Sequence, residues 1–379
     1  MKDILDQVET WLAAGQRVAL ATVIATERSA PHDPGATMAV SERGEAVGSV
    51  SGGCVEGAVV EESLEVIERG QPKRLSYGIA DELALTVGLT CGGTIHVFVE
   101  PLSWRPLFQR LADAIRAERP AALVTEIEGP QPGTRLLVGP DWAEGELAQP
   151  LGDRVVAEAR ALLAAGLTAR RAYGRQGEAR RQEVEVFVRS FAPPARMYVF
   201  GATDFARAAA RMGKFLGYRV TVCDARSTFV TRARFPEADE LVVRWPDEFL
   251  AEAPVDGRTV ICILTHDPKF DVPLLQAALR TPAAYIGAMG SRRTDVDRTR
   301  RLRELGLSES ELARIRGPIG LDLGARTPEE VAVAIAGEII ALRHRRPGGF
   351  LRDRSGPVHG LRPEPEEAET AAVAAGPPS

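Results

Sequence analysis

Apolar residues recur at helical spacing through Ile4, Leu5, Val8, Trp11 and Leu12, and Gly15 closes that segment before a β-rich run from Val18 to Thr26. The chain therefore opens helix first, strand second. The runs Thr37 to Val40 and Ala46 to Val50 flank Glu42-Arg43-Gly44 and predict a hairpin that leads into Ser51-Gly52-Gly53-Cys54-Val55-Glu56. A helix is expected over Val55 to Arg69, a weak strand near Leu75, and an alternating strand over Thr94 to Val99 that Pro101 ends.

Residues 104–190 predict a helix near Pro106 to Arg116, strands around 121–127 and 134–138, a helix near 153–165 and a strand over 183–189. They are read as an extension of the first domain, which then spans 1–191 with a core over 1–102 and an extension over 103–191. Ala192-Pro193-Pro194-Ala195 is the clearest linker, because paired prolines resist both helix and sheet. Beyond it, the apolar runs Met197 to Phe200, Val220 to Val222, Leu241 to Val243, Val260 to Leu264 and Ala284 to Ile286 alternate with helical stretches. That alternation predicts a parallel, doubly wound sheet, a Rossmann-like domain over 196–346. Two capping-box patterns, Ser308 with Glu311 and Thr327 with Glu330, mark late helix starts. Residues 347–379 are expected to be a largely mobile tail, and the sequence shows no internal repeat. The fold class is α/β, with an N-terminal α/β domain followed by the Rossmann-like one.

Composition narrows the function without naming it. At 379 residues the chain exceeds what one core organises, which supports two domains. A net charge of −5 gives no basic footprint, so nucleic acid is not the expected partner. Cys54, Cys91, Cys223 and Cys262 are too sparse for a disulfide scaffold and form no CxxC pair, which fits reduced thiols in a cytoplasmic protein. No apolar run is long enough to span a membrane.

The chemistry-bearing residues fall at loops. Gly52 and Gly53 precede Cys54 at a predicted helix start, where the macrodipole favours a thiolate. Cys91-Gly92-Gly93 repeats the pairing in mirror order. Two cysteines beside paired glycines are either a reactive pair or two small buried hydrophobes. Cys223 and Cys262 lie inside apolar strands and read as buried, and His96, a lone strand histidine, reads as structural.

In the second domain the strand ending at Phe200 runs into Gly201-Ala202-Thr203-Asp204, and Asp224 closes the next strand. This is the order of a dinucleotide fingerprint, except that Thr203 stands where a second glycine admits the pyrophosphate. Asp224 is either a ribose acceptor or the partner of Arg226, and His266-Asp267 either touches a ligand or caps the next helix. Gly290-Ser291-Arg292-Arg293, at another strand end, suits an anion such as phosphate.

Taken together, these residues resemble the xanthine dehydrogenase accessory factor family, XdhC/CoxI, over nearly the whole chain. The resemblance rests on Gly48 to Glu56, Cys91-Gly92-Gly93, Asp224-Ala225-Arg226, Arg234-Phe235-Pro236, Thr265-His266-Asp267, Gly290 to Arg293 and Pro318 to Gly324. The family's GAGH-type turn is replaced by Gly201-Ala202-Thr203-Asp204. What the resemblance implies is a protein that binds molybdenum cofactor, as molybdopterin or its dinucleotide form. It would protect the cofactor while a cysteine desulfurase adds sulfur, then insert it into a xanthine dehydrogenase or CO dehydrogenase-type molybdenum hydroxylase. Cys54 and Cys91 would contact molybdenum or the transferred sulfur, and Gly52, Gly53, Gly92, Gly93, Gly201, Asp224, Arg226, His266, Asp267, Gly290, Ser291, Arg292 and Arg293 would hold the cofactor. The protein would be more a chaperone than an enzyme, and a homodimer stays open. Two other readings stand beside it: an NAD(P)-dependent oxidoreductase using Asp224 and His266, and a nucleotide-sensing regulatory Rossmann protein. A molybdenum hydroxylase itself is not expected, since the chain is short and lacks an iron–sulfur cysteine cluster.

Overall fold

In a computed structural model of the protein the described residues are 1–27, 32–78, 93–147, 151–174, 183–265 and 267–353. The chain divides into two compact units, one centred on Met1–Arg105 and the other spanning Pro106–Gly348.

The first unit runs α1 (Leu5–Ala13), β1 (Val18–Glu27), β2 (Thr37–Ser41), β3 (Ala46–Gly48), α2 (Glu56–Arg69), β4 (Lys73–Tyr77) and β5 (Thr94–Pro101). Its strands form one antiparallel sheet in the order β3-β2-β1-β5-β4. Alternate strand residues such as Ala21, Val23, Val97 and Val99 point to one face, where Val59, Val66 and Ile67 of α2 cover them. Gly70, at φ +71°, ends α2 in the left-handed conformation and donates its N–H to Val66 O.

The second unit begins with α3 (Arg105–Arg116), β6 (Ala121–Glu128), β7 (Arg135–Val138), β8 (Ala143–Glu146), α4 (Gly152–Ala165), β9 (Ala169–Tyr173) and β10 (Val184–Phe191). Its antiparallel order, β8-β7-β6-β10-β9, reproduces that of the first sheet element for element. A helix, three strands, a second helix and two strands occur twice, so the chain carries a structural repeat that its residues do not display. The sequence reading attaches residues 103–191 to the first domain, whereas compactness groups Pro106 onward with the Rossmann-like segment. Contacts within that unit include the Arg219–Glu118 ion pair and Arg258 Nη1, which donates to Pro193 O at 3.0 Å.

Past the linker follow β11 (Arg196–Phe200), α5 (Asp204–Phe215), β12 (Arg219–Cys223), β13 (Glu240–Val242), α6 (Pro246–Glu252), β14 (Val260–Ile263), α7 (Pro268–Leu279), β15 (Tyr285–Ala288), α8 (Arg292–Glu304), α9 (Glu309–Leu312), β16 (Ile315–Arg316) and α10 (Pro328–Arg343). The sheet is parallel throughout, in the order β13-β12-β11-β14-β15-β16. This is the 3-2-1-4-5-6 order of a Rossmann fold, and its switch point lies between β11 and β14. Alternation sorts the strand residues between two cores. Met197, Val199, Val220, Val222 and Val260 meet α5 and α10 on one face. Tyr198, Phe200, Ile261, Ile263 and Ile286 meet α6 and α7 on the other. Both expected capping boxes form, at Ser308 with Glu311 and Thr327 with Glu330.

At the switch point Gly201 has φ +103°, and a Cβ there would come within 3.0 Å of Leu264 C and O. Gly201→Ala is therefore expected to destabilise the second unit by about 2 kcal/mol through backbone strain alone, measured by denaturant-dependent amide exchange of β11 and β14.

Candidate functional site

Val50 and Val55 are fully buried in the core beneath the first sheet, and between them the chain must cross from β3 to α2. The crossing, Ser49 to Val55, is organised by three side chains. Glu56, the first residue of α2, turns its carboxylate back into the loop. Its Oε1 accepts from Ser49 Oγ at 2.6 Å, Val50 N at 3.2 Å and Ser51 N at 2.9 Å. Its Oε2 accepts from Ser51 Oγ at 2.6 Å, Gly53 N at 2.8 Å and Val55 N at 3.3 Å. The remaining amides go to the serines: Gly52 N donates to Ser49 Oγ at 2.9 Å, and Cys54 N donates to Ser51 Oγ at 3.1 Å. Every backbone N–H from Val50 to Val55 thus has an acceptor without a strand partner.

Gly52 and Gly53 make this wrapping feasible, at φ +76° and +116°, and a Cβ on either would meet nothing within 4 Å. The glycines are exposed, whereas Cys54 is half-buried against the core. The loop therefore presents an open Gly-Gly outer face beside a thiol anchored from within. Burial alone would raise the Glu56 pKa, but the hydroxyls of Ser49 and Ser51 and the loop amides outweigh it and bring it from 4.5 down to about 2. The glutamate and the two serines carry the loop's architecture, and the sequence reading assigned them no role. The signal was partial: two serines and two glycines precede an acidic residue at the helix start, without a capping-box spacing, since Val55 is the N-cap.

Cys91, expected with Cys54 at the molybdenum or the transferred sulfur, and Gly92, expected at the cofactor, lie outside the described residues; Gly93 is described and buried. Cys223 and Cys262 are buried in the parallel-sheet cores, and burial pushes both thiols up to about 12. His96 is hydrogen-bonded at both ring nitrogens, Nδ1 with Ser76 Oγ at 2.7 Å and Nε2 with Glu27 Oε1 at 3.1 Å.

At the parallel sheet's carboxyl edge, Asp224 is 3% exposed and fully engaged. Its Oδ1 accepts from Arg226 N and Nε, both at 2.9 Å, and its Oδ2 from Arg226 Nη2 at 2.7 Å and Ala202 N at 2.8 Å. Burial pushes this carboxyl up, but the Arg226 fork and the backbone donors hold it below the usual carboxylate range. Four acceptor positions filled by the chain's own donors favour the Arg226 pairing over a ribose contact. Thr203 Oγ1 accepts from Ala206 N at 3.2 Å and caps α5, so a hydroxyl takes an amide that a pyrophosphate would use, and Asp204 adds a negative charge to the first turn. Asp267 caps α7 by accepting from Lys269 N at 3.1 Å, which is the capping alternative; His266 lies outside the described residues.

Gly290, at φ +155°, precedes α8, whose first turn is capped by Ser291 Oγ accepting from Thr294 N at 3.1 Å. Beneath the turn the Arg298 guanidinium, 4% exposed, donates to Met289 O and lies 3.6 Å from carboxylate oxygens of both Asp271 and Asp295. Arg292 and Arg293 are exposed at the start of the helix, so their charge faces solvent. Among the described residues no group of three or more His, Cys, Asp or Glu side chains is placed to hold a metal ion, and no helix is long and apolar enough to cross a membrane.

A thiol-bearing Gly-Gly loop on an antiparallel α/β unit, combined with a Rossmann sheet, defines a two-part class of protein. Residues 11–78 match the XdhC and CoxI family, and residues 197–339 match the XdhC Rossmann domain. The chain thus carries both an XdhC and CoxI family domain and an XdhC Rossmann domain. It is 28% identical over 332 residues to the molybdenum cofactor insertion chaperone PaoD of Escherichia coli, covering 88% of this chain and 85% of the relative. It is 26% identical over 335 residues to a probable xanthine dehydrogenase subunit of Bacillus subtilis, covering 87% and 94%. A Bacillus halodurans crystal structure described as a xanthine dehydrogenase superposes with a TM-score of 0.65 at 25% identity, covering 93% of this chain and 98% of that one.

Because the folded Glu56 pKa is depressed, its contribution is complete above pH 4.5 and is lost as pH falls toward about 2. After discounting for solvent screening, the loss is expected to be about 1.5 kcal/mol. Comparing the pH dependence of first-unit stability in the wild type and Glu56→Gln checks this, since the variant lacks the titration.

Proposed function

We propose that the protein binds molybdenum cofactor as cargo, shelters it while a cysteine desulfurase supplies the terminal sulfur, and hands it to a xanthine dehydrogenase or CO dehydrogenase-type molybdenum hydroxylase. The observation that carries this reading is the Ser49–Val55 loop, which offers one anchored, half-buried thiol beside an open Gly-Gly face. A thiolate is a soft ligand suited to a sulfur-ligated metal, and paired glycines admit a bulky ligand closely. Cys91, with Gly92 and Gly93, is assigned to the same task, in contact with molybdenum or the sulfur in transit. The naming of the E. coli relative as a cofactor insertion chaperone supports the reading.

The pterin phosphate, or the diphosphate of the dinucleotide form, is assigned to Gly290, Ser291, Arg292 and Arg293. Exposed arginines at a helix start suit phosphate geometry. The saturated Asp224 carboxylate and the capped α5 count against an NAD(P) oxidoreductase.

Protein purified from cells with an intact cofactor pathway is expected to carry molybdenum and pterin together. The Cys54→Ala, Cys91→Ala double variant is expected to lose both, and Arg292→Ala with Arg293→Ala to weaken retention about tenfold. Normal loading of the double cysteine variant, or a bound nicotinamide nucleotide in place of the pterin, would overturn the reading.

A further inference from the structure

We infer that Glu56 acts as an internal anion that positions Cys54, in addition to starting α2. Its carboxylate lies where a bound anion would lie, encircled by two hydroxyls and four backbone N–H groups that all point inward. The donor ring reaches the cysteine through its backbone. It acts through Ser51, whose Oγ donates to Glu56 and in turn accepts from Cys54 N at 3.1 Å and Val55 N at 3.0 Å. The orientation of that one hydroxyl is set by the carboxylate, and it ties down the backbone on which the thiol sits.

Three features of the loop support a positioning role. The two glycines hold left-handed φ values, and a Cβ on either would meet nothing within 4 Å, so side-chain packing does not set their conformation and the hydrogen bonds of their N–H groups to Ser49 and Glu56 do. Ser51 is buried, and a water entering the space left by the carboxylate could accept only part of the six hydrogen bonds that the carboxylate accepts. Val50 and Val55 fix the loop's ends in the core, so loss of the carboxylate would release the middle, residues 51–54, and leave the fold around it in place. The weight of this inference for cargo binding rests on the role proposed for Cys54, but its test needs no cargo.

The test is the rate at which iodoacetamide alkylates Cys54 in the full chain, read by peptide mass spectrometry so that Cys91, Cys223 and Cys262 are scored separately. In Glu56→Ala the released loop exposes the thiol, and Cys54 is expected to react about tenfold faster than in the wild type. Excess formate should occupy the vacated donor ring and bring the rate back toward the wild-type value, a rescue that a merely structural glutamate would not give. Glu56→Gln keeps the acceptor facing Ser49 Oγ, Val50 N and Ser51 N but turns an amide group toward Ser51 Oγ, Gly53 N and Val55 N, so its rate should fall between the two. If Glu56→Ala does not fold, Glu56→Gln decides: a rate equal to wild type overturns the inference, and a faster one supports it. A Glu56→Ala rate equal to wild type, or a changed rate that formate leaves unaltered, overturns it as well. Loss of the cofactor-carrier reading would leave these outcomes untouched, which keeps the two failures distinguishable.

Discussion

The carboxylate of Glu56 sits at the centre of a loop that has no strand or helix to satisfy it. Of the six consecutive amide groups from Val50 to Val55, those of the exposed Gly52 and Gly53 could turn to water, whereas the others would face a partly or fully buried environment without acceptors, a cost of about 1–3 kcal/mol for each group left wanting. Three side chains meet the need, with Ser49 and Ser51 acting as relays that donate to the glutamate and accept from the backbone. The two positive-φ glycines follow from this arrangement, because only they let the chain curl tightly enough for its N–H groups to converge. The thiol of Cys54 is therefore held by a chain of dependencies that begins at a residue two positions away.

The parallel sheet shows how a fold can keep its topology while its usual ligand chemistry is altered locally. Gly201 remains necessary because the chain leaving β14 passes too close for a side chain. One residue further on, Asp224 reaches across to the Ala202 amide and is itself clasped by Arg226, and Thr203 caps the helix. Hydrogen bonds within the turn thus occupy donors and acceptors that a dinucleotide would need. The loop after β15 differs: its helix start leaves Arg292 and Arg293 exposed, while the buried Arg298 is neutralised by Asp271 and Asp295 beneath it.

The repeated helix–three-strand–helix–two-strand unit separates scaffold from chemistry. Its two copies share strand order and the order of their helices, yet the Ser-Gly-Gly-Cys sequence stands only between β3 and α2, and the residues between β8 and α4 read Leu147-Ala148-Gln149-Pro150-Leu151. The repeat escapes sequence reading because a sheet covered on one face by a helix needs only alternating apolar positions, which many residue choices satisfy. Edge strands are also hard to read. β9, Ala169-Arg170-Arg171-Ala172-Tyr173, and β8, Ala143-Glu144-Gly145-Glu146, carry charges and a glycine suited to an exposed edge and lack the apolar alternation that marks an inner strand.

Hydrophobic periodicity by itself outlined α1 to α4, the inner strands and the strand–helix alternation of the parallel Rossmann sheet, because burial on one or two faces imposes its period directly on the residues. Paired glycines likewise marked where Cys54 lies, since a left-handed φ is written in residue type. What only the tertiary structure decided were the hydrogen-bond assignments: that Glu56 reaches backward into its own loop, that Asp224 is spent on Arg226 and Ala202, and that Asp267 caps a helix. A carboxylate's sequence position names an acceptor but not its donors, which depend on backbone direction at ångström scale.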